Sequence, residues 1–368
     1  MKLNLNEKDT KELLKLFDMN ETNYNLGRMY QYFFMNEARS INSKDVSILT
    51  EINKCETKEA YFQLFLKCLD IDCGDIETYS SFKNYCYENI YLLKNEDFEN
   101  NLYLKNIHIS SIQIKDIKIS YDSYLPYEGF PLDDLTIDED NYYQEKYSLG
   151  FFEKKYRFQS ISYKNIVWMS VIPNEIITMK DDINKVHGNV LVYGLGLGYF
   201  AYMISLKDDV KQITIVENNP IIIKLFESNI LKQFKCANKI KIVCQDAFDF
   251  ETNNSEKFDF AYVDLYHGDE DGIKVYLKFK NLELRSNNYI YWLEKTLINV
   301  LRRNLITIFY EHYYQENCNY QVEKNYNDKI INRLYLLIKD FTFNSYQEIH
   351  NLLKDENIKK LAKKIIID

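Results

Sequence analysis

The sequence predicts an α/β fold centred on a doubly wound, mostly parallel sheet, with a helical region and a small β-layer before it and a helical extension after it. Three observations predict this. Between residues 173 and 300, short apolar runs alternate with amphipathic segments, the β-α-β rhythm of a parallel sheet. The runs themselves, such as VLVY and FAYV, are almost continuously apolar, as strands covered on both faces must be. Four of them end on glycines or an acid: the 194–198 loop, Glu217, Asp246 and Asp264. In an open α/β sheet, ligands bind outside the carboxyl ends of the strands, so these endings converge on one edge.

The elements follow in order. Residues 1–105 read as helical. Leu13, Leu14, Leu16 and Phe17 share one helix face, as do Tyr61, Phe62, Leu64, Phe65 and Cys68. The many Tyr and Phe residues there predict aromatic packing between helices. Residues 106–172 read as a small β-rich region. Positions 107–120 (IHISSIQIKDIKIS) alternate apolar and polar, the period of a half-buried strand. Pro126, Gly129 and Pro131 break the chain, and a second β-like stretch follows over 146–171, with turns expected at Gly150 and Glu153-Lys154-Lys155. Residues 173–300 form the main domain, which opens with a helix over 173–185 carrying Pro173 in its first turn. Strands are expected at 189–193, 212–217, 239–244, 258–264 and 289–293, with helices at 199–206 and 220–230. Residues 301–368 continue as helix.

The bulk numbers bound the function. A chain of 368 residues that is 46% hydrophobic folds as two or three globular units. Its formal charge of −9, without a long basic run, argues against binding nucleic acid through phosphates. Arg302-Arg303 and the lysines at 359, 360, 363 and 364 read as solvated helix faces. The 7 cysteines include no C-x-x-C pair and no partnering His pattern. They read as free thiols, not a metal site. The N-terminus lacks the apolar core of a signal peptide, and no apolar stretch is long enough to span a bilayer. A cytoplasmic protein without membrane attachment is expected.

The chemistry concentrates between 188 and 272. Gly194, Gly196 and Gly198 follow the strand VLVY and precede the helix YFAYMIS. Glycines there let the backbone turn and let a ligand approach closely, while the N–H groups of the next helix face it. Glu217 ends the second strand, where an acid accepts the hydroxyls of a ribose. Asp246, followed by Ala247, ends the third, where an acid can accept from an adenine amino group. Asp264 ends the fourth, and Tyr266, His267 and Asp269 lie just beyond. The run Asp269-Glu270-Asp271 has two readings: attraction of a cationic acceptor, or the acidic first turn of the next helix.

In order and spacing, VLVYGLGLG, TIVE, QDAFDF and FDFAYVDLYHGDEDG resemble the cofactor motifs of class I S-adenosylmethionine-dependent methyltransferases. They are most similar to the branch that includes spermidine synthase-like proteins. QDAFDF is similar to that branch's adenine-side motif, and IPNEIITM stands where the branch has a helix bordering the donor site. The resemblance spans roughly residues 145–300 and implies a Rossmann-like domain with S-adenosylmethionine as cofactor. It also implies roles. Gly194, Gly196 and Gly198 would line the methionine part of the donor, Glu217 would hold the ribose, and Asp246 and Ala247 would flank the adenine. Asp264 would face the sulfonium or the acceptor, with Tyr266 and His267 beside it as further catalytic candidates. There are departures. Val192 replaces an acid found two residues before the first glycine in many methyltransferases. Leu197 stands where spermidine synthases carry an acid, and Leu265-Tyr266-His267-Gly268 replaces their Ser/Asp-Pro motif. The usual C-terminal strand hairpin is not evident after residue 300.

The expected function is therefore S-adenosylmethionine-dependent methyl transfer to an amine or other small molecule. The alternatives are an aminopropyltransferase-like enzyme and a non-catalytic S-adenosylmethionine-binding scaffold. A nicotinamide oxidoreductase fits less well, because the third glycine of G-x-G-x-x-G falls on Tyr199 and Asp246 has no role.

Overall fold

The apolar runs of the main domain become five strands: β1 (Gly188–Tyr193), β2 (Val210–Glu217), β3 (Ile240–Cys244), β4 (Phe260–Val263) and β5 (Tyr289–Tyr291). A computed structural model describes residues 1–315, 320 and 323–367; Cys318 lies outside them. The strands lie in the order β3-β2-β1-β4-β5, and every neighbouring pair is parallel. The chain works outward from β1 to β3, then returns to place β4 on the other side of β1. Right-handed crossovers put the helices of the two halves on opposite faces of the sheet. The reversal between β1 and β4 leaves a crevice at their carboxyl ends.

The helices between the strands start where the sequence supplies a cap. After α1 (Tyr199–Ser205) comes α2 (Pro220–Asn229), which begins with a proline and is capped by the Asn219 side chain. Asp246 caps α3 (Ala247–Asn253). The acidic run at 269–271 is the first turn of α4 (Asp269–Leu282), and the Asp271 carboxylate accepts the Gly268 N–H at 3.1 Å. The chain then passes through β5 into α5 (Glu294–Tyr314). Among the described residues the sheet stops at five strands, without a C-terminal hairpin.

The β-layer is a four-stranded antiparallel sheet in the order Ile166–Ser170, Tyr156–Tyr163, Ile117–Tyr124, Ile112–Ile114. Its last strand in chain order leads directly into the site. The N-terminal helices carry their own aromatic core, in which Tyr61 stacks on Phe151 with centroids 3.7 Å apart. Among the described residues, six cysteines are free, and no helix is long and apolar enough to cross a membrane.

Five expectations need correction. The single strand over 107–120 is a hairpin, because Lys115 turns the chain at φ 54° between Ile114 and Ile117, where the apolar spacing slips from two residues to three. Gly150 lies inside strand Leu149–Phe152, not in a turn. A Cβ there would stand 2.8 Å from the Phe130 ring, so the glycine makes room for an aromatic. The helix over 173–185 is two pieces, Pro173–Thr178 and Lys180–Lys185, with Met179 between them. The helical first hundred residues also contain Lys2–Leu3, paired with Thr342–Phe343, and Ile90–Leu93, paired with Leu149–Phe152. Finally, Arg302-Arg303 is not a solvated face. Arg302 is buried and donates to the Leu353 carbonyl at 3.0 Å, and Arg303 pairs with the buried Glu145.

Candidate functional site

The crevice opens into a cavity of about 870 Å³, lined by the ends of β1, β2, β3 and β4 and roofed by the 167–175 segment. All nine residues singled out from the sequence line it: Gly194, Gly196, Gly198, Glu217, Asp246, Ala247, Asp264, Tyr266 and His267.

The glycine-rich loop is shaped by close approach. Gly194 has φ 96°, and a Cβ there would stand 2.0 Å from the Asp264 carbonyl oxygen, so the loop lies against the end of β4. Gly198 has φ 76°, and its Cβ would meet the Phe226 ring at 2.4 Å, so α1 starts tight against α2. The turn points the Leu195 N–H at Glu217 Oε2, 3.2 Å away, and Glu217 Oε1 accepts the Asn219 N–H at 2.8 Å. Burial raises the Glu217 pKa, and these backbone bonds work against that shift. An ionised carboxylate offers about four acceptor positions. The backbone bonds leave acceptor capacity on the carboxylate, which lines the cavity. At the next strand end, Asp246 Oδ1 accepts the N–H groups of Phe248 and Asp249 at 2.8 and 3.1 Å, while Oδ2 takes part in neither bond.

Asp264 stands at the centre. Its backbone N–H extends the sheet by bonding to the Tyr193 carbonyl at 3.0 Å, which fixes the carboxyl at the strand end. Burial pushes its pKa up to about 7, and His267 pulls slightly the other way. Tyr266 is a wall: its hydroxyl donates to the Trp292 carbonyl at 2.5 Å, and its ring stacks beside the Trp292 indole. His267 sits at the rim with an exposed ring, its Nδ1 3.0 Å from the Asp271 carboxylate.

Sequence reasoning missed part of the site. Glu175, on the short helix Pro173–Thr178, faces the same cavity as Asp264. Burial and then the Asp264 charge hold its carboxyl well above the usual range. The signal was available in IPNEIITM, whose helix was placed beside the donor but whose acid was not singled out. Asp133 and Asp134 arrive from the β-rich region, and Asp134 Oδ1 accepts the Thr296 hydroxyl at 2.6 Å. The chain's 2 tryptophans, Trp168 and Trp292, both line the cavity. Seven carboxyl side chains line it, and among the described residues no Lys or Arg does.

The strand order, the glycine turn after β1 and the acids ending β2, β3 and β4 now stand together. This is the class I S-adenosylmethionine-dependent methyltransferase-like fold. No family model matches the chain. A polyamine aminopropyltransferase from Oceanobacillus iheyensis is 32% identical over 96 residues, which is 24% of this chain and 19% of that protein. A solved spermidine synthase bound to the transition-state analogue AdoDATO shares 16% identity, with 37% of this chain and 54% of that one covered and a TM-score of 0.29. A methyltransferase structure, an O-methyltransferase from Thermotoga maritima, shares 16% identity over 36% of this chain and 51% of that one, at 0.28. The chain thus matches only part of each relative's length. The curated relative is therefore similar to this chain over a stretch of 96 residues only.

Proposed function

We propose that the chain is a transferase that moves an alkyl group from an S-adenosyl sulfonium donor to an amine, and that the group is aminopropyl. The carrying observation is the acidic lining of the cavity: seven carboxyl groups, two of which, Glu175 and Asp264, burial shifts toward their neutral form, and, among the described residues, no lining Lys or Arg. S-adenosylmethionine brings a carboxylate that would meet no cationic side chain there. Its decarboxylated form brings a sulfonium and an ammonium and no carboxylate. An amine acceptor is also cationic in water. The sequence expectation of methyl transfer therefore gives way to its alternative, which the match to a polyamine aminopropyltransferase also supports.

The chemistry balances simply. The amine nitrogen attacks the carbon bonded to the sulfonium, the C–S bond breaks, and its electron pair stays on sulfur as a neutral thioether. The positive charge passes to nitrogen, which must shed a proton before or after attack. Asp264, with its pKa pushed up to about 7, is a better proton acceptor than an ordinary carboxylate. Its charge stays favourable as positive charge moves from sulfur to nitrogen.

Methyl transfer remains the second reading, because Leu197 and the 265–268 segment depart from the spermidine synthase pattern. The thioether product separates the two. Aminopropyl transfer releases 5′-methylthioadenosine and methyl transfer releases S-adenosylhomocysteine. Chromatography of reactions with each donor and a panel of linear amines should detect 5′-methylthioadenosine. S-adenosylhomocysteine alone would select methyl transfer, and neither product from any pair would favour the scaffold reading.

A further inference from the structure

We propose that Asn101 and Tyr103 are positioning residues for the donor, through which the N-terminal helical region holds the glycine-rich loop in shape. The inference rests on that loop being the donor-binding loop. Both residues lie outside the stretch that resembles known transferases, at the start of the short helix Leu102–Asn106.

Tyr103 is fully buried, and its ring packs edge-on against Tyr199 and Tyr202 of α1, with centroids 5.6 and 5.4 Å apart. Its hydroxyl donates to the Leu197 carbonyl at 2.5 Å. In a trans peptide the C=O and the following N–H point in opposite directions. The partner N–H, that of Gly198, donates back across the turn to the Leu195 carbonyl at 2.8 Å. The 197–198 peptide plane is thus pinned from both sides. Such pinning matters because Gly196 and Gly198, both at positive φ, leave the loop many alternative turns. The same turn aims the Leu195 N–H at Glu217, so the chain of contacts runs from Tyr103 to the ribose acid. Asn101 adds a second tie. Its Oδ1 accepts the Tyr103 N–H at 2.9 Å, and its amide donates to the Tyr199 hydroxyl at 3.0 Å.

Tyr103→Phe removes only the hydroxyl. Asn101→Ser keeps a capping oxygen but is too short to reach Tyr199. Calorimetry with 5′-methylthioadenosine and with S-adenosylhomocysteine, well below each variant's melting temperature, measures the effect. Losing one such bond should weaken nucleoside binding by about 2- to 12-fold. In steady state the donor KM should rise while the acceptor KM holds. A purely structural role would lower the active fraction and leave both the dissociation constant and the donor KM unchanged. Wild-type binding with equal affinity in Tyr103→Phe overturns the proposal and leaves the donor site standing. If Tyr103→Phe does not fold, Asn101→Ser decides by the same criterion. A wild type that binds neither nucleoside overturns both this proposal and the donor reading.

Discussion

At the scale of single residues, the site is a set of carboxyl groups sorted by their surroundings. Glu217 is positioned by two backbone N–H bonds, and in the proposed function it binds the donor. Glu217→Ala should weaken donor affinity by about 100-fold, since hydrogen bonds to a charged acceptor contribute roughly 1.5–3 kcal/mol each. Unchanged affinity in a titration would remove its ribose role. In the proposed reaction Asp264 is the acid that handles the proton. Turnover should climb as pH rises through about 7, where its carboxyl ionises, and Asp264→Asn should flatten that limb and lower turnover by about 10²–10⁴-fold. Stability carries the opposite sign. The folded state keeps the Asp264 proton above the ordinary carboxyl value of 3.8 while the unfolded chain releases it. Wild type therefore loses stability between pH 3.8 and about 7. Melts across that range should show Asp264→Asn gaining on wild type as pH rises, and a parallel pair of curves would contradict the assignment. His267→Gln is the control. Loss of turnover there alone would move the proton acceptor to the rim.

At the scale of elements, the strand-end acids were legible because parallel strands announce themselves as apolar runs and their polar ends must emerge at one edge. VLVY, TIVE and FAYV each mark both a strand and the residue that leaves it. Glu175 was harder to see because IPNEIITM marks the helix, while which of its residues faces the cavity depends on packing between the 167–175 segment and the sheet. The 107–120 hairpin left only a slight mark in the sequence: the apolar spacing slips from two residues to three between Ile114 and Ile117, while alternation on either side continues. The short strands Lys2–Leu3 and Ile90–Leu93 pair with partners far along the chain, so nothing near them in sequence signals an edge. The glycine loop yields a test at this scale. Gly194→Ala drives a Cβ into the Asp264 backbone, whereas at Gly196 the nearest atom is the Met169 sulfur at 3.5 Å. Both substitutions carry a strained φ, but thermal melts should show Gly194→Ala as the more damaging by several degrees. Equal melting points would mean that the loop does not press on β4.

At the scale of the whole molecule, the parallel-sheet domain is bound to its neighbours by buried polar groups. Glu145, from the β-rich region, accepts the Asn299 amide at 2.7 Å and the Arg303 guanidinium, while its backbone N–H donates to Asn23 Oδ1 at 2.9 Å. Residues from three separate stretches thus meet at Glu145, through its carboxylate and its backbone N–H. The basic pair Arg302-Arg303 looked like surface in the sequence because its buried partners, Glu145 and the Leu353 carbonyl, lie far away along the chain. Leaving Arg303 without its acid should cost about 3–5 kcal/mol. Glu145→Ala should accordingly lower the melting temperature by several degrees, and a shift near zero would mean that these units hold together by apolar contacts alone. What the assembled molecule presents is an acid-lined cavity at the switch point of a parallel sheet, and the central claim is that it receives an S-adenosyl sulfonium. Parallel calorimetric titrations of wild type with decarboxylated S-adenosylmethionine, S-adenosylmethionine and NAD test this most directly. Decarboxylated S-adenosylmethionine should bind most tightly, S-adenosylmethionine more weakly and NAD not at all; binding of NAD without either sulfonium would contradict the account.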